Sequence, residues 1–211
     1  MTNPETEPEA SADVDLAALP PPRRPFRRVT FFVMGLTALF ALKLSLGLRG
    51  ELAYAFRAGA PSDLGDLGEK SLSGQAPNAW VRAEGTLSES SVVRYSRPLE
   101  SDSYRLTALA QNPKVWVELR VPRDTDEEHF VAPGSFVGRL VPARGAGLRY
   151  RALGDAAAEA GHELPHDAWL LIDGESPSGT RWVWGVQLLL MAFAAFNVAG
   201  IVRLARPVRD A

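Results

Sequence analysis

Two histidines and a glutamate in the order His162-Glu163-Leu164-Pro165-His166 spell HExxH. On a helix, that spacing sets both imidazoles on one face to hold zinc, with the glutamate placed to activate water. Pro165 works against a helix. A proline in a helix interior removes a backbone donor and collides with the preceding turn, at a cost of about 3 kcal/mol or more. It also drives Leu164 out of the α region. Gly161 reads as a helix stop and Ala168–Ile172 as a strand, so the segment falls on a helix-to-strand loop. A polar loop is expected there rather than a metallopeptidase centre, and no metal ligand is assigned.

Other reactive groupings are thinner. The chain lacks G-x-S-x-G, and Gly174-Glu175-Ser176-Pro177-Ser178-Gly179 has the composition of a juxtamembrane linker. His129 stands beside Glu127 and Glu128 as a solvated loop residue, and Asp124, Asp126, Glu127 and Glu128 lack the EF-hand spacing and its central glycine. Phosphate-binding and dinucleotide fingerprints are missing too. With no cysteine, thiolate zinc sites, iron–sulfur clusters, haem attachment through CxxCH and cysteine nucleophiles are excluded. Acidic and basic residues are interspersed through the centre without a basic patch, which makes nucleic acid an unsuitable partner. No catalytic residue, cofactor-binding residue or cofactor is assigned.

The elements that would have to position any chemistry begin with two apolar runs. Val29–Leu48 follows Arg23, Arg24, Arg27 and Arg28; Trp182–Val202 precedes Arg203, Arg206 and Arg209. Each is about twenty residues, the length a helix needs to cross roughly 30 Å of hydrocarbon. Arginine and lysine near the spans collect on the cytoplasmic side. Both spans therefore predict cytoplasmic termini, with residues 49–181 outside, in the periplasm of a Gram-negative bacterium. A cleaved signal peptide is the competing reading of the first run, with Ala53-Tyr54-Ala55 as its cleavage-like triplet. Signal h-regions run about 7–15 residues, however, so an uncleaved anchor is expected.

Within the spans, Lys43 lies about five residues from the outer end, where its stem can run along the helix and set the ammonium among headgroups. Gln187 and Asn197 are expected to hydrogen-bond between the helices. Gly35, Ala38 and Ala41 on one span, with Ala195 and Ala199 on the other, offer close helix contact. Trp182 and Trp184 begin the second span where an interfacial aromatic belt belongs.

Residues 1–28 read as a disordered, acidic cytoplasmic tail and residues 203–211 as a second short tail. Residues 49–79 read as a helical extension followed by a Gly/Pro-rich linker, and 80–175 as the folded domain, with 176–181 a linker. Strands are predicted at 79–87, 91–95, 103–110, 115–121, 135–141 and 168–172, with Gly138 a possible bulge and a short helix at 154–161. The fold class is therefore membrane-anchored α+β: two transmembrane helices flank a small, mainly β extracytoplasmic domain, an OB-like barrel or a sandwich with one short helix. The aromatics Trp80, Tyr95, Tyr104, Trp116, Phe130, Phe136, Tyr150 and Trp169 would supply most of its core.

Functionally, this pattern suggests a non-enzymatic inner-membrane protein whose periplasmic β-domain binds or positions a protein partner in an envelope complex. The lipid bilayer is its other partner. A carrier or chaperone for a small ligand is the alternative. The outline of two spans around a periplasmic β-domain is similar to that of proteins that assist respiratory-complex assembly, though no shared motif is identified. An HExxH zinc peptidase is the third reading.

Overall fold

The computed structural model describes residues 26–97, 100–125, 130–144 and 147–206. Arg23, Arg24, Arg209 and the acidic leader lie outside these residues, as do His129 and its neighbours Asp126, Glu127 and Glu128.

Helix α1 spans Arg27–Gly47, 21 residues, and a second short helix, α2, continues it over Arg49–Ala55. At 1.5 Å per residue α1 is about 32 Å long. The last helix of the chain, Val183–Ala205, has 23 residues. Both long helices are long and apolar enough to cross a membrane. Their large apolar side chains point outward: Phe32, Leu36, Leu39 and Phe40 on α1, and Leu188, Leu189, Phe193 and Phe196 on the last helix, are exposed.

The sheet between them has seven strands: β1 Ser62–Asp66, β2 Ala79–Glu84, β3 Val93–Ser96, β4 Ser103–Ala108, β5 Val115–Val121, β6 Ser135–Pro142 and β7 Trp169–Asp173. Helix α3, Gly147–Glu159, connects β6 to β7, which makes the C-terminal helix α4. The spatial order is β1-β2-β6-β7-β5-β4-β3. β1 pairs parallel with β2 and β5 parallel with β7, while the remaining neighbours are antiparallel.

The expected OB-like barrel or sandwich does not form: the sheet is open, with β1 and β3 as its edges. The cause lies in the α3 crossover, which returns the chain so that β7 inserts between β6 and β5 instead of closing an edge. Leu170, Leu171 and Ile172 are all buried, as a central strand covered on both faces requires. β1 was also unexpected, since Ser-Asp-Leu-Gly-Asp carries turn residues and falls within the stretch read as a linker; only Leu64 of it is buried. Gly138 is not a bulge either. It pairs regularly with Val81 and Asp173, and a Cβ there would come within 1.9 Å of the Ile172 carbonyl oxygen. Glycine lets two strands approach.

Two apolar layers result. Val81, Val117, Leu119, Phe136, Leu140 and Leu171 gather on one face under Leu67, Leu72 and Leu109. On the other face Trp116, Val141, Leu170 and Ile172 meet Tyr150, Leu153 and Ala157 of α3. That i, i+3, i+7 spacing is the buried stripe of an amphipathic helix. The helix starts earlier than the expected residue 154 and stops at Gly161 (φ 82°), where the His162 amide bonds Ala157 and the Gly161 amide bonds Ala158.

α1 and α4 pack antiparallel. The Thr37 hydroxyl donates to Asn197 Oδ1 at 3.1 Å, and Gln187 Nε2 donates to Ser45 Oγ at 2.6 Å, so the polar residues in the spans bond across the pair as expected. Ala38 and Ala41 are buried in the contact. Ala195 and Ala199 are not; they face outward, and Ala194 and Asn197 take the inward positions. The small-residue contact expected from this pair is therefore not made on the second span. Trp184 rests edge-on against Phe56 at 4.3 Å beyond the end of α2.

Candidate functional site

Arg139 sits in the middle of β6, on the face shared with α3, at a position where alternation with Val137 and Val141 would place an apolar side chain. It is 1% exposed. Its guanidinium donates to Glu51 Oε2 of α2 at 2.6 Å, to Tyr150 Oη of α3 at 3.1 Å and to Glu175 Oε1 of the β7–α4 connection at 3.3 Å. Nη2 and Nε both donate to Asn78 Oδ1, at 2.5 and 3.0 Å. The Tyr54 ring lies 4.5 Å from the cation and the Tyr150 ring 5.3 Å. One arginine thus gathers both helical stems, the crossover helix and the turn before β2.

The surrounding groups complete it. Tyr150 donates to Glu175 Oε2 at 2.6 Å, and Tyr54 donates to the Glu175 carbonyl at 2.6 Å. Asn78 holds a left-handed backbone (φ 60°), a conformation its short polar side chain tolerates better than most. Burial, reinforced by the Glu175 carboxylate, raises the Tyr54 pKa far above the ordinary phenol, so Tyr54 remains a donor. Burial opposes the Arg139 charge, but the Glu51 hydrogen bond and the neighbouring carboxylates outweigh it and hold the cation.

Beside this hub, and sharing Glu175 with it, lies a polar cleft of about 540 Å³ whose walls include Arg97, Tyr104, Glu118, Arg120, Asp173 and Thr180. Glu118 on β5 is 2% exposed and accepts from Tyr95 and Arg97; Arg97 also lies over the Tyr104 ring. Burial and the Glu118 charge push the Tyr95 phenol up, well beyond its ordinary range. Asp173 takes the Val137 amide at 2.9 Å, yet burial raises its carboxyl pKa above the usual value. The arrangement can hold protons and orient polar groups; within the cleft the Thr180 hydroxyl donates to Glu175 Oε1 at 3.4 Å. A second cleft, about 470 Å³, opens on the opposite face between Leu87, Val92, Leu119, Phe130 and Arg105.

His162–Pro165 have no regular structure, and the two imidazoles go separate ways. His162 packs 6.2 Å from the Trp116 ring, and His166 Nε2 lies 3.2 Å from Arg144 Nη2. The helical geometry a zincin requires is not formed. Among the described residues no three His, Asp or Glu side chains converge as a metal site. Of the aromatics, Tyr104, Trp116, Phe136 and Tyr150 are buried, while Trp80, Tyr95, Phe130 and Trp169 are half-buried. No family model, curated protein or solved structure matches the chain.

Proposed function

We propose that this chain is a non-enzymatic, two-span membrane protein whose sheet domain is held in a fixed attitude to the bilayer in order to bind or position a protein partner. The supporting observation is the Arg139 hub. A tethered domain needs no buried five-way polar junction to stay attached, because its two covalent connections do that. Desolvating an arginine and two carboxylates is unfavourable unless the geometry is well satisfied, and its best-attested return is one specific arrangement. Here that arrangement fixes the sheet against α2 and against the start of α4. Rigid mounting matters to a protein that presents a surface, more than to one that turns over a diffusible substrate. The arginine flanks favour cytoplasmic termini and an extracytoplasmic sheet, and the antiparallel α1–α4 pair agrees with a hairpin.

Crosslinking of the full chain in native membranes, followed by mass spectrometry, tests this reading. Discrete protein adducts through the sheet domain, weakened when Arg139 is replaced, are expected. Isolation as a lone monomer from mild detergent, with no adduct from any exposed sheet position, would overturn it.

The cleft beside Phe130 favours one alternative, a carrier for a small, partly apolar ligand, for instance during respiratory-complex assembly. It joins apolar walls to the Arg105 guanidinium, which lies 4.8 Å from the Phe130 ring. A ligand-dependent rise in melting temperature would support that alternative.

A further inference from the structure

We propose that Lys43 is a docking position. A transmembrane helix of the partner, bearing an aspartate or glutamate in its outer half, packs on the side of α1 turned away from α4. This rests on the membrane-spanning, partner-binding reading above.

Met34, Thr37, Ala38, Ala41 and Ser45 face or contact α4. Lys43 stands two residues from both Ala41 and Ser45, which at about 100° per residue puts it on the opposite side of the helix. It is exposed, and so are Leu36 (57%), Leu39 (66%) and Leu46 (59%) along the same side. Among the described residues it has no hydrogen-bond or ion-pair partner. A lone ammonium is therefore set in the outer part of a face otherwise made for hydrocarbon.

One feature of the geometry works against simple escape to the surface. Side chains on a helix lean toward its N-terminus. The nearer membrane boundary, about 8 Å away at Leu48, lies in the C-terminal direction, so the Lys43 stem sets out toward the bilayer centre. Ionisable side chains in spans face a bundle interior and pair there. In the single chain Lys43 faces outward, so the bundle must be completed by another protein, and the group that completes an unpaired cation in low dielectric is a carboxylate. A helix seated there would also come up beside the mount that Arg139 holds.

The test places a photo-crosslinking residue at Leu39 in the full chain and a second, separately, at Val131, which is 89% exposed on the sheet domain. In native membranes the Leu39 probe is expected to give a discrete protein adduct. Lys43→Leu should reduce it about tenfold, as loss of one well-formed ion pair would, while Lys43→Arg retains it. A protein adduct unchanged in Lys43→Leu, or an adduct to phospholipid alone, overturns the proposal; the second result means that lipid covers this face. If Val131 captures a protein while Leu39 does not, the Lys43 site falls and the partner reading stands. If neither captures a protein, both fall.

Discussion

Arg139 shows how a buried charge differs from a surface one. Its fork is filled by Glu51, Tyr150, Glu175 and Asn78, so removing it strands two carboxylates where water cannot reach them readily. Arg139→Met is expected to destabilise the fold by about 3–5 kcal/mol, measured by urea unfolding in detergent micelles. Adding Glu51→Gln and Glu175→Gln should recover part of the loss, because the stranded charges go too. A variant no less stable than the parent would mean that the hub is incidental. Asp173 gives a prediction of the opposite sign. Its carboxyl pKa is raised by burial in the folded state, so the native state favours the protonated form. Stability from this group is present below the unfolded carboxylate range and is lost as pH rises through the raised value. Asp173→Asn keeps the acceptor for the Val137 amide and removes the charge. It should melt at or above the parent at pH 7, with the gap closing as pH falls toward 4. A gap that widens on acidification would contradict the sign.

At the level of elements, two glycines separate what a strand pair tolerates from what a helix pair tolerates. A methyl on Gly138 would meet the Ile172 backbone carbonyl, which cannot move without breaking the β6–β7 ladder. A methyl on Gly200 would meet Met34 Cε at 2.2 Å, the free end of a flexible side chain. Gly138→Ala should therefore cost about 1–3 kcal/mol or more, and Gly200→Ala under about 1 kcal/mol, by the same unfolding measurement. Equal effects would mean that the β6–β7 approach is looser than described. Most elements could be read from the sequence because they are local: alternation marks β5 as Val115–Val121, and apolar length marks α1 and α4. β1 could not, since a five-residue run of turn formers around Leu64 becomes a strand only because β2 offers an edge. Barrel and open sheet also share one linear pattern; the choice depends on where β7 inserts, which is a pairing between distant segments. The hub was hidden for the same reason. Arg139 and Glu51 are 88 residues apart, and each looks like an ordinary surface charge in its own window. The available hint was positional, a charge at an inward-facing step of β6 and another inside a juxtamembrane helix.

For the whole molecule, the question is which compartment the sheet occupies, and the chain has an experimental advantage there. It contains no cysteine, so any introduced thiol is unique. α1 and α4 run antiparallel and are joined through the sheet domain, so if both cross the bilayer their outer ends must share one side. Arg27 Nη2 reaching the Ala205 carbonyl at 3.3 Å ties those ends together. The sheet then emerges at the other surface, beside Trp182, Trp184 and Phe56, exposed aromatics of the kind that settle at a headgroup boundary. The proposed orientation rests on charge: Arg27, Arg28, Arg203 and Arg206 crowd the tied end, and moving that end across the bilayer would carry four guanidinium groups with it. Val131→Cys should therefore react with a membrane-impermeant maleimide in intact spheroplasts, whereas Arg203→Cys should react only after permeabilisation. The reverse pattern would place the sheet in the cytoplasm and remove the periplasmic partner. Labelling of both before permeabilisation would mean that the pair does not span the bilayer, and that its exposed apolar face is covered by protein instead of lipid.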